Sequence, residues 1–360
     1  MKIIHCSDLH LDSKMEANLS KEKSKQRKNE MLFAFQNMIN FANENNVKII
    51  IIAGDLFDKN KVSVKAKNMV KDAVLGNPNI DFIYLKGNHD EESFIIDEIP
   101  DNLKLFSKEK WTSYRYGDIV ISGIEFGQKD SYDIYSSLML NKNDFNIVTM
   151  HGQESNYENQ KDKTEIINLR ELKNKNIDYL ALGHIHKFKT EKLDNRGIYC
   201  YSGCLEGRGF DECGDKGFVL LDIENNKLKT EFIKNSIRNL EEIEVDISNT
   251  MTTTEVEQEI EKKLENISRE NLIKIVLIGK VNVNSEKDIN YLLKKYNDEF
   301  YFAKIYDRTS LKINYLDYEN DISLKGEFIR MVLKEDIPEE EKKDIIMTGI
   351  RALSGEEEII

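Results

Sequence analysis

The chain has 360 residues, too many for one small core, so a large domain with one or two smaller appendages is expected. Hydrophobic residues make up 40%, aromatics 9%, and only 3 residues are proline, which excludes extensive disorder. The net charge of −13 would count against a nucleic-acid partner, but residues 236–360 carry 28 acids and 18 bases, leaving residues 1–235 with 37 acids and 34 bases.

Two local basic surfaces remain in that first part. Residues 59–71 hold Lys59, Lys61, Lys65, Lys67 and Lys71 without an acid, and residues 13–30 hold six bases against three acids. The longest apolar run, Ile49 to Ala53, is far short of a membrane span, and the opening MKIIHCSDLHLD does not read as a signal peptide. Cys6, Cys200, Cys204 and Cys213 contain no C-x-x-C pair and read as reduced thiols, so a cytoplasmic protein without a membrane association is expected.

In chain order, five apolar segments each run into a polar cluster: KIIHC into SDLHLD, VKIIIIA into GDLFD, DFIYL into KGNHD, FNIVTM into HGQ, and IDYLAL into GHIHK. Each reads as a buried strand. Leu32, Phe35, Met38 (or Ile39) and Ala42 recur at helical spacing between the first two, as do Met69, Val70, Ala73 and Val74 between the next two. A β-α-β-α-β opening follows, with the polar clusters beyond the carboxyl ends of the strands, where open α/β sheets gather ligands. From Tyr114 the segments shorten and become richer in β-branched residues, which predicts a second sheet packed on the first. Near residue 238 the character shifts to a small α+β region: EEIEVDI and LIKIVLIGKV as strands, Thr254–Ile267 and Glu286–Tyr296 as helices. The last forty residues read as two amphipathic helices, one near Leu324–Leu333 and one from Pro338 to Gly355. The expected divisions are 1–237, 238–318 and 319–360.

Five of the six histidines (His10, His89, His151, His184 and His186) lie in the clusters that follow strands. With Asp8, Asp55 and Asn88 they offer imidazoles, carboxylates and an amide oxygen, a donor set suited to divalent transition metals. Asp8-x-His10 and His184-x-His186 can each turn two side chains to one side of an extended strand end. The donors outnumber the four or so that one catalytic metal takes from protein, which argues for two ions sharing a carboxylate, with Asp55 as the natural bridge. Such a pair suits in-line attack at phosphorus. His5 sits inside the first strand and reads as a core histidine.

Taken in order, D-x-H, GDLFD, GNHD, H-G and GHIH resemble the five motifs of the calcineurin-like metallophosphoesterase superfamily. The resemblance implies Asp8, His10, Asp55 and His186 around one metal, and Asp55, Asn88, His151 and His184 around the other. It makes His89 the catalytic acid, oriented by Asp58. Within the superfamily, IIHCSDLHLDS, GDLFD, YSGCLEGRGFDE with KGF, and the ending LKGEFIRMVL to IRALSGEE are similar to the SbcD-type bacterial DNA-repair exonucleases. Archaeal and eukaryotic repair nucleases usually carry a His at the position of Asp58. The implied fold is a four-layered α/β sandwich, two mixed sheets flanked by helices, with a small α+β capping domain and C-terminal helices. The implied activity is Mn2+-dependent exonuclease and endonuclease cleavage of DNA in double-strand-break repair. The implied partners are an SMC-like coiled-coil ATPase (SbcC-type) docked on the tail, and a second copy of the chain through the early helices. A phosphodiesterase of small, cyclic-nucleotide-like diesters is the alternative. Arg208, in the loop after the last motif, is a candidate phosphate contact or a structural salt bridge.

Overall fold

The computed structural model describes residues 1–15, 18–58, 62–90, 99–125, 131–155, 166–282, 285–312 and 320–353. Lys59 and Lys61 of the basic segment, and the helix stop expected at Gly355, lie outside the described residues. The chain divides into two compact units, Met1–Asn239 and Leu240–Ile360.

In the first unit the order is β1 (Lys2–Cys6), α1 (Lys21–Glu44), β2 (Ile49–Ala53), α2 (Val64–Gly76), β3 (Asp81–Leu85), β4 (Leu103–Leu105), β5 (Thr112–Tyr116) and β6 (Ile119–Gly123). There follow α3 (Ser131–Ser137), β7 (Phe145–His151), β8 (Gln153–Glu154), β9 (Ile166–Ile167), α4 (Leu169–Leu172) and β10 (Tyr179–Gly183). The unit closes with β11 (Lys189–Lys192), β12 (Ile198–Tyr201), β13 (Gly217–Glu224) and β14 (Lys227–Lys234). Two six-stranded sheets result, ordered β14-β13-β1-β2-β3-β4 and β11-β12-β10-β7-β6-β5. Strands β1 to β3 are mutually parallel, as are β6, β7 and β10, and β13 runs antiparallel to β1.

The β2 sequence Ile-Ile-Ile-Ile-Ala shows why the layers form. Alternate strand residues face opposite sides. Ile50 and Ile52 pack with Leu32, Phe35, Met38 and Ala42 of α1 and with Val70 and Val74 of α2. Ile49 and Ile51 pack against Ile121, Phe145, Ile147 and Tyr179 of the second sheet. A strand covered on both faces carries no polar alternation. Beyond the second sheet, Val148, Met150, Leu180 and Leu182 meet Ile134 and Tyr135 of α3 and Leu169 and Leu172 of α4. The unit is therefore a four-layered α/β sandwich, helices outside and two sheets inside. Ser20 and Ser63 start α1 and α2 by accepting the Lys23 and Ala66 backbone N–H groups at 3.3 and 3.2 Å.

The second unit holds β15 (Leu240–Asp246), α5 (Thr253–Leu264), β16 (Leu272–Ile278), β17 (Lys280–Asn282), α6 (Ile289–Glu299), β18 (Phe302–Asp307), β19 (Ser310–Lys312), α7 (Leu324–Lys334) and α8 (Glu339–Leu353). β15, β16 and β18 form a parallel sheet, with Val256, Ile260, Leu292 and Tyr296 of α5 and α6 packed on Val245, Ile273, Ile275 and Ala303. The sequence reading did not anticipate β18, because Phe-Ala-Lys-Ile-Tyr-Asp is too short and mixed to show a period.

The two tail helices pack on each other, burying Ile329 and Val332 against Ile346 and Ile350. Phe328 also packs against this cluster, whereas Leu324 and Met331 of α7 are 72% and 64% exposed. Gly349 explains the close approach, since a Cβ there would lie 2.2 Å from the Phe328 ring. No helix among the described residues is long and apolar enough to cross a membrane. All four cysteines are free thiols.

Candidate metal centre

The five loops that follow β1, β2, β3, β7 and β10 meet and hold one another. Asp8 N–H donates to Gly54 O at 3.0 Å and His10 N–H to Asp55 O at 3.0 Å, lacing the first loop to the second. The Asp90 carboxylate accepts Phe57 N–H and Gly87 N–H, both at 2.9 Å, which ties the third loop to the second. Asp8 in turn accepts the His184 N–H at 2.8 Å. This lacing sustains an unusual backbone: Asp8, His10, Asp55 and His184 have φ of 53°, 42°, 52° and 98°. Side-chain-bearing residues avoid that region, and clusters of such strain mark functional sites. Glycine at 54, with φ of +95°, is required twice over, since a Cβ would also lie 2.0 Å from His151 Nδ1.

The donors converge from both sheets. His10 Nε2 and His186 Nε2 are 3.2 Å apart, and Asp8 Oδ1 lies 3.9 Å from His186 Nε2. Asp55 Oδ2 lies 3.7 Å from His10 Nε2 on one side and 3.3 Å from His151 Nε2 on the other. Asn88 Oδ1 is 3.1 Å from His151 Nε2. His184 places its ring 5.4 Å from that of His151, centroid to centroid. Asp58 Oδ1 reaches both His10 Nδ1 at 2.8 Å and His89 Nδ1 at 3.2 Å. Ligand atoms lie within 4.8 Å of one another in three sets: Asp8, His10 and His186; Asp8, Asp55 and His151; and His10, Asp58 and His89. His184 is in none of the three. Thus all nine residues named as ligands, acid or orienting group come together in one place.

Hydrogen bonds outside the cluster aim the rings. His151 Nδ1 faces the Ala53 carbonyl at 2.9 Å, so Nδ1 carries the hydrogen and Nε2 turns to Asp55 and Asn88. Burial opposes a charge on His151, yet the adjacent Asp55 carboxylate outweighs it and carries its pKa up to about 10. Burial likewise works against ionised Asp55, but His151 and His10 hold its pKa below the usual carboxylate range. Burial and the neighbouring Asp55 push Asp90 up to about 6. Convergent imidazole Nε2 atoms, two buried carboxylates and an amide oxygen fit divalent transition ions.

His5 bonds the Tyr179 hydroxyl through Nδ1 at 2.9 Å, and burial lowers its pKa to about 3. It is a neutral core residue away from the cluster. Arg208 makes a salt bridge, Nη2 to Glu212 Oε1 at 2.8 Å, and its Nη1 lies 3.7 Å from Asp58 Oδ2. Arg27, counted among the bases of residues 13–30, is 1% exposed and does not belong to a basic surface. It bonds Glu30 and Glu206, both at 2.7 Å, and the Gly207 carbonyl at 2.9 Å, fixing the loop that carries Arg208. Glu212, in the FDE segment, shows no ligand spacing in the sequence, yet its carboxylate is 2.6 Å from His186 Nδ1.

The profile of the calcineurin-like phosphoesterase family matches residues 1–188, more than half of the chain. The chain belongs to that family. As a calcineurin-like phosphoesterase it is a metal-dependent hydrolase of phosphoesters. A metallophosphoesterase of uncharacterized role from Bacillus subtilis, YhaO, is 26% identical over 295 residues, 78% of this chain and 72% of its own. The DNA double-strand break repair protein Mre11 of Sulfolobus acidocaldarius is 25% identical over 314 residues, covering 79% of this phosphoesterase and 77% of itself. The protein of the same name from Saccharolobus solfataricus is 24% identical over 388 residues, 99% of this chain and 96% of its own.

Proposed function

We propose that this phosphoesterase is the nuclease subunit of a DNA double-strand-break repair machine. It is a Mn2+-dependent exonuclease and endonuclease of the SbcD type, working as a homodimer with an SMC-like coiled-coil ATPase. The observation that carries the two-ion part is the place of Asp55 Oδ2, between His10 Nε2 at 3.7 Å and His151 Nε2 at 3.3 Å. In this reading Asp8, His10, Asp55 and His186 hold one ion, and Asp55, Asn88, His151 and His184 the other. When bound, the ions supply Lewis-acid charge to the phosphoryl oxygens.

His89 carries the proton. Its Nδ1 faces Asp58 Oδ1 at 3.2 Å, its Nε2 is the proposed donor to the leaving oxygen, and its side chain is 46% exposed. Asp58 also faces His10 Nδ1 at 2.8 Å, so one carboxylate orients both the acid and a ligand. The DNA substrate draws support from the similarity to repair proteins over as much as 99% of the chain. The bacterial branch draws on Asp58 itself and on the YSGCLEGRGFDE segment.

Mixed imidazole and carboxylate donors favour Mn2+ over the harder Mg2+. EDTA is expected to silence hydrolysis, and Mn2+ to restore it well above equimolar Mg2+. Equal restoration by Mg2+ would contradict the ligand argument.

The tail is proposed as the ATPase-docking element. After α7 and α8 bury their shared cluster, Ile322, Leu324 and Met331 stay 99%, 72% and 64% exposed, an apolar strip suited to helix-in-groove docking. Removing residues 322–360 should preserve Mn2+ binding and hydrolysis of a small diester while abolishing co-purification with the ATPase. A truncated chain that still retains the ATPase at full strength would rule this tail out. For the homodimer through the early helices, α1 leaves Phe33 at 56% exposure after its core-facing side is buried.

A further inference from the structure

His186 and Glu212 are 26 positions apart, and the fold brings Glu212 Oε1 to 2.6 Å from His186 Nδ1. An ionised carboxylate only accepts, so His186 Nδ1 carries the hydrogen. The lone pair of Nε2 then faces His10 Nε2 at 3.2 Å and Asp8 Oδ1 at 3.9 Å. Glu212 is itself fixed: Oε1 accepts Arg208 Nε–H at 3.1 Å and Nη2–H at 2.8 Å, and Oε2 accepts the Arg208 backbone N–H at 2.7 Å. The 3.2 Å approach of Arg208 Nη2 to His186 Nδ1 is two donors meeting at this shared acceptor. Arg208 Nη1 reaches to 3.7 Å from Asp58 Oδ2, so the guanidinium spans the carboxylate behind His186 and the one behind His10 and His89. Glu212 is 5% exposed, out of reach of substrate. Its position behind an imidazole, away from the convergent Nε2 atoms, is that of a group that sets tautomer and ring orientation and raises donor strength.

We propose that Glu212 is the positioning residue for His186, holding its Nε2 toward the ion shared with Asp8 and His10. The proposal deepens the two-ion reading above and rests on it. Removing such an outer carboxylate lowers metal affinity about 10- to 100-fold.

The test is a calorimetric Mn2+ titration of the full-length wild type, Glu212→Ala and Glu212→Gln, with a thermal melt of each. Wild type should bind two ions. Glu212→Ala should weaken one site about 10- to 100-fold and leave the other within about twofold. Glu212→Gln, which keeps an acceptor for Nδ1–H, should recover part of the lost affinity. A folded Glu212→Ala with both sites at wild-type affinity overturns the proposal alone, as does equal weakening of both sites. If Glu212→Ala loses its cooperative melt, Glu212→Gln decides: one selectively weakened site supports the role, and two unweakened sites overturn it. A wild type that binds no Mn2+ overturns the two-ion reading and this proposal with it.

Discussion

His89→Ala is expected to lower phosphodiester turnover by about a hundred- to ten-thousandfold while both Mn2+ ions still bind. The physical reason is that its Nδ1 is engaged 3.2 Å from Asp58 and its side chain is 46% exposed, whereas the proposed ligands Asp8, His10, Asp55 and His151 are buried to 2% exposure or less. Asp55→Ala should behave in the opposite way. Its carboxylate reaches both His10 and His151, so its loss removes a donor from two sites at once, and metal binding should fail with activity. His89 does approach His10 and Asp58 closely enough to form a ligand set of its own. Calorimetry in which His89→Ala loses an ion while Asp55→Ala keeps both would therefore reverse the assignment of roles.

The largest expected effect on stability is at Arg27. Its fully buried guanidinium neutralises Glu206 and Glu30, and Glu206 also accepts the Ile237 backbone N–H at 2.7 Å. Arg27→Ala takes from buried Glu206 the guanidinium 2.7 Å away, while Glu30 keeps Arg238 Nε at 3.0 Å. Breaking a buried pair in this way costs about 3–5 kcal/mol, a large share of the roughly 5–15 kcal/mol by which domains are stable. Urea unfolding should show that loss in the midpoint, with the slope unchanged. A shift corresponding to less than about 1 kcal/mol would mean that solvent or a neighbouring base replaces Arg27.

Much of the candidate centre was legible because each donor follows a strand whose apolar run is unmistakable. KIIHC, IIIIA and DFIYL must be covered on both faces, so the polar residues after them lie beyond the carboxyl ends of the strands. What could not be read was anything set by contact between distant segments. Glu212 reaches His186 only because residues 204–212 fold back beneath the site, held there by Arg27 from α1. The same contact turned Arg27 from an apparent surface base into a buried one. The strained backbone at Asp8, His10, Asp55 and His184 falls on residue types that tolerate positive φ, but none is glycine, so the sequence does not single these positions out. In the tail, amphipathic spacing gave the two helices and part of their facing sides: Val332, Ile346 and Ile350 lie in the shared cluster with Phe328 packed on it, whereas Ile329 stands there in place of the exposed Leu324 and Met331.

The proposed Mn2+-dependent nuclease activity is tested most directly by presenting the purified, Mn2+-loaded chain with linear duplex DNA and, separately, with a small aryl phosphodiester. Both should be cleaved, and His89→Ala should cleave each about a hundred- to ten-thousandfold more slowly. Hydrolysis of the small diester with the duplex left intact, in the presence of the ATPase as well as alone, would contradict the nuclease reading in favour of a small-diester phosphodiesterase.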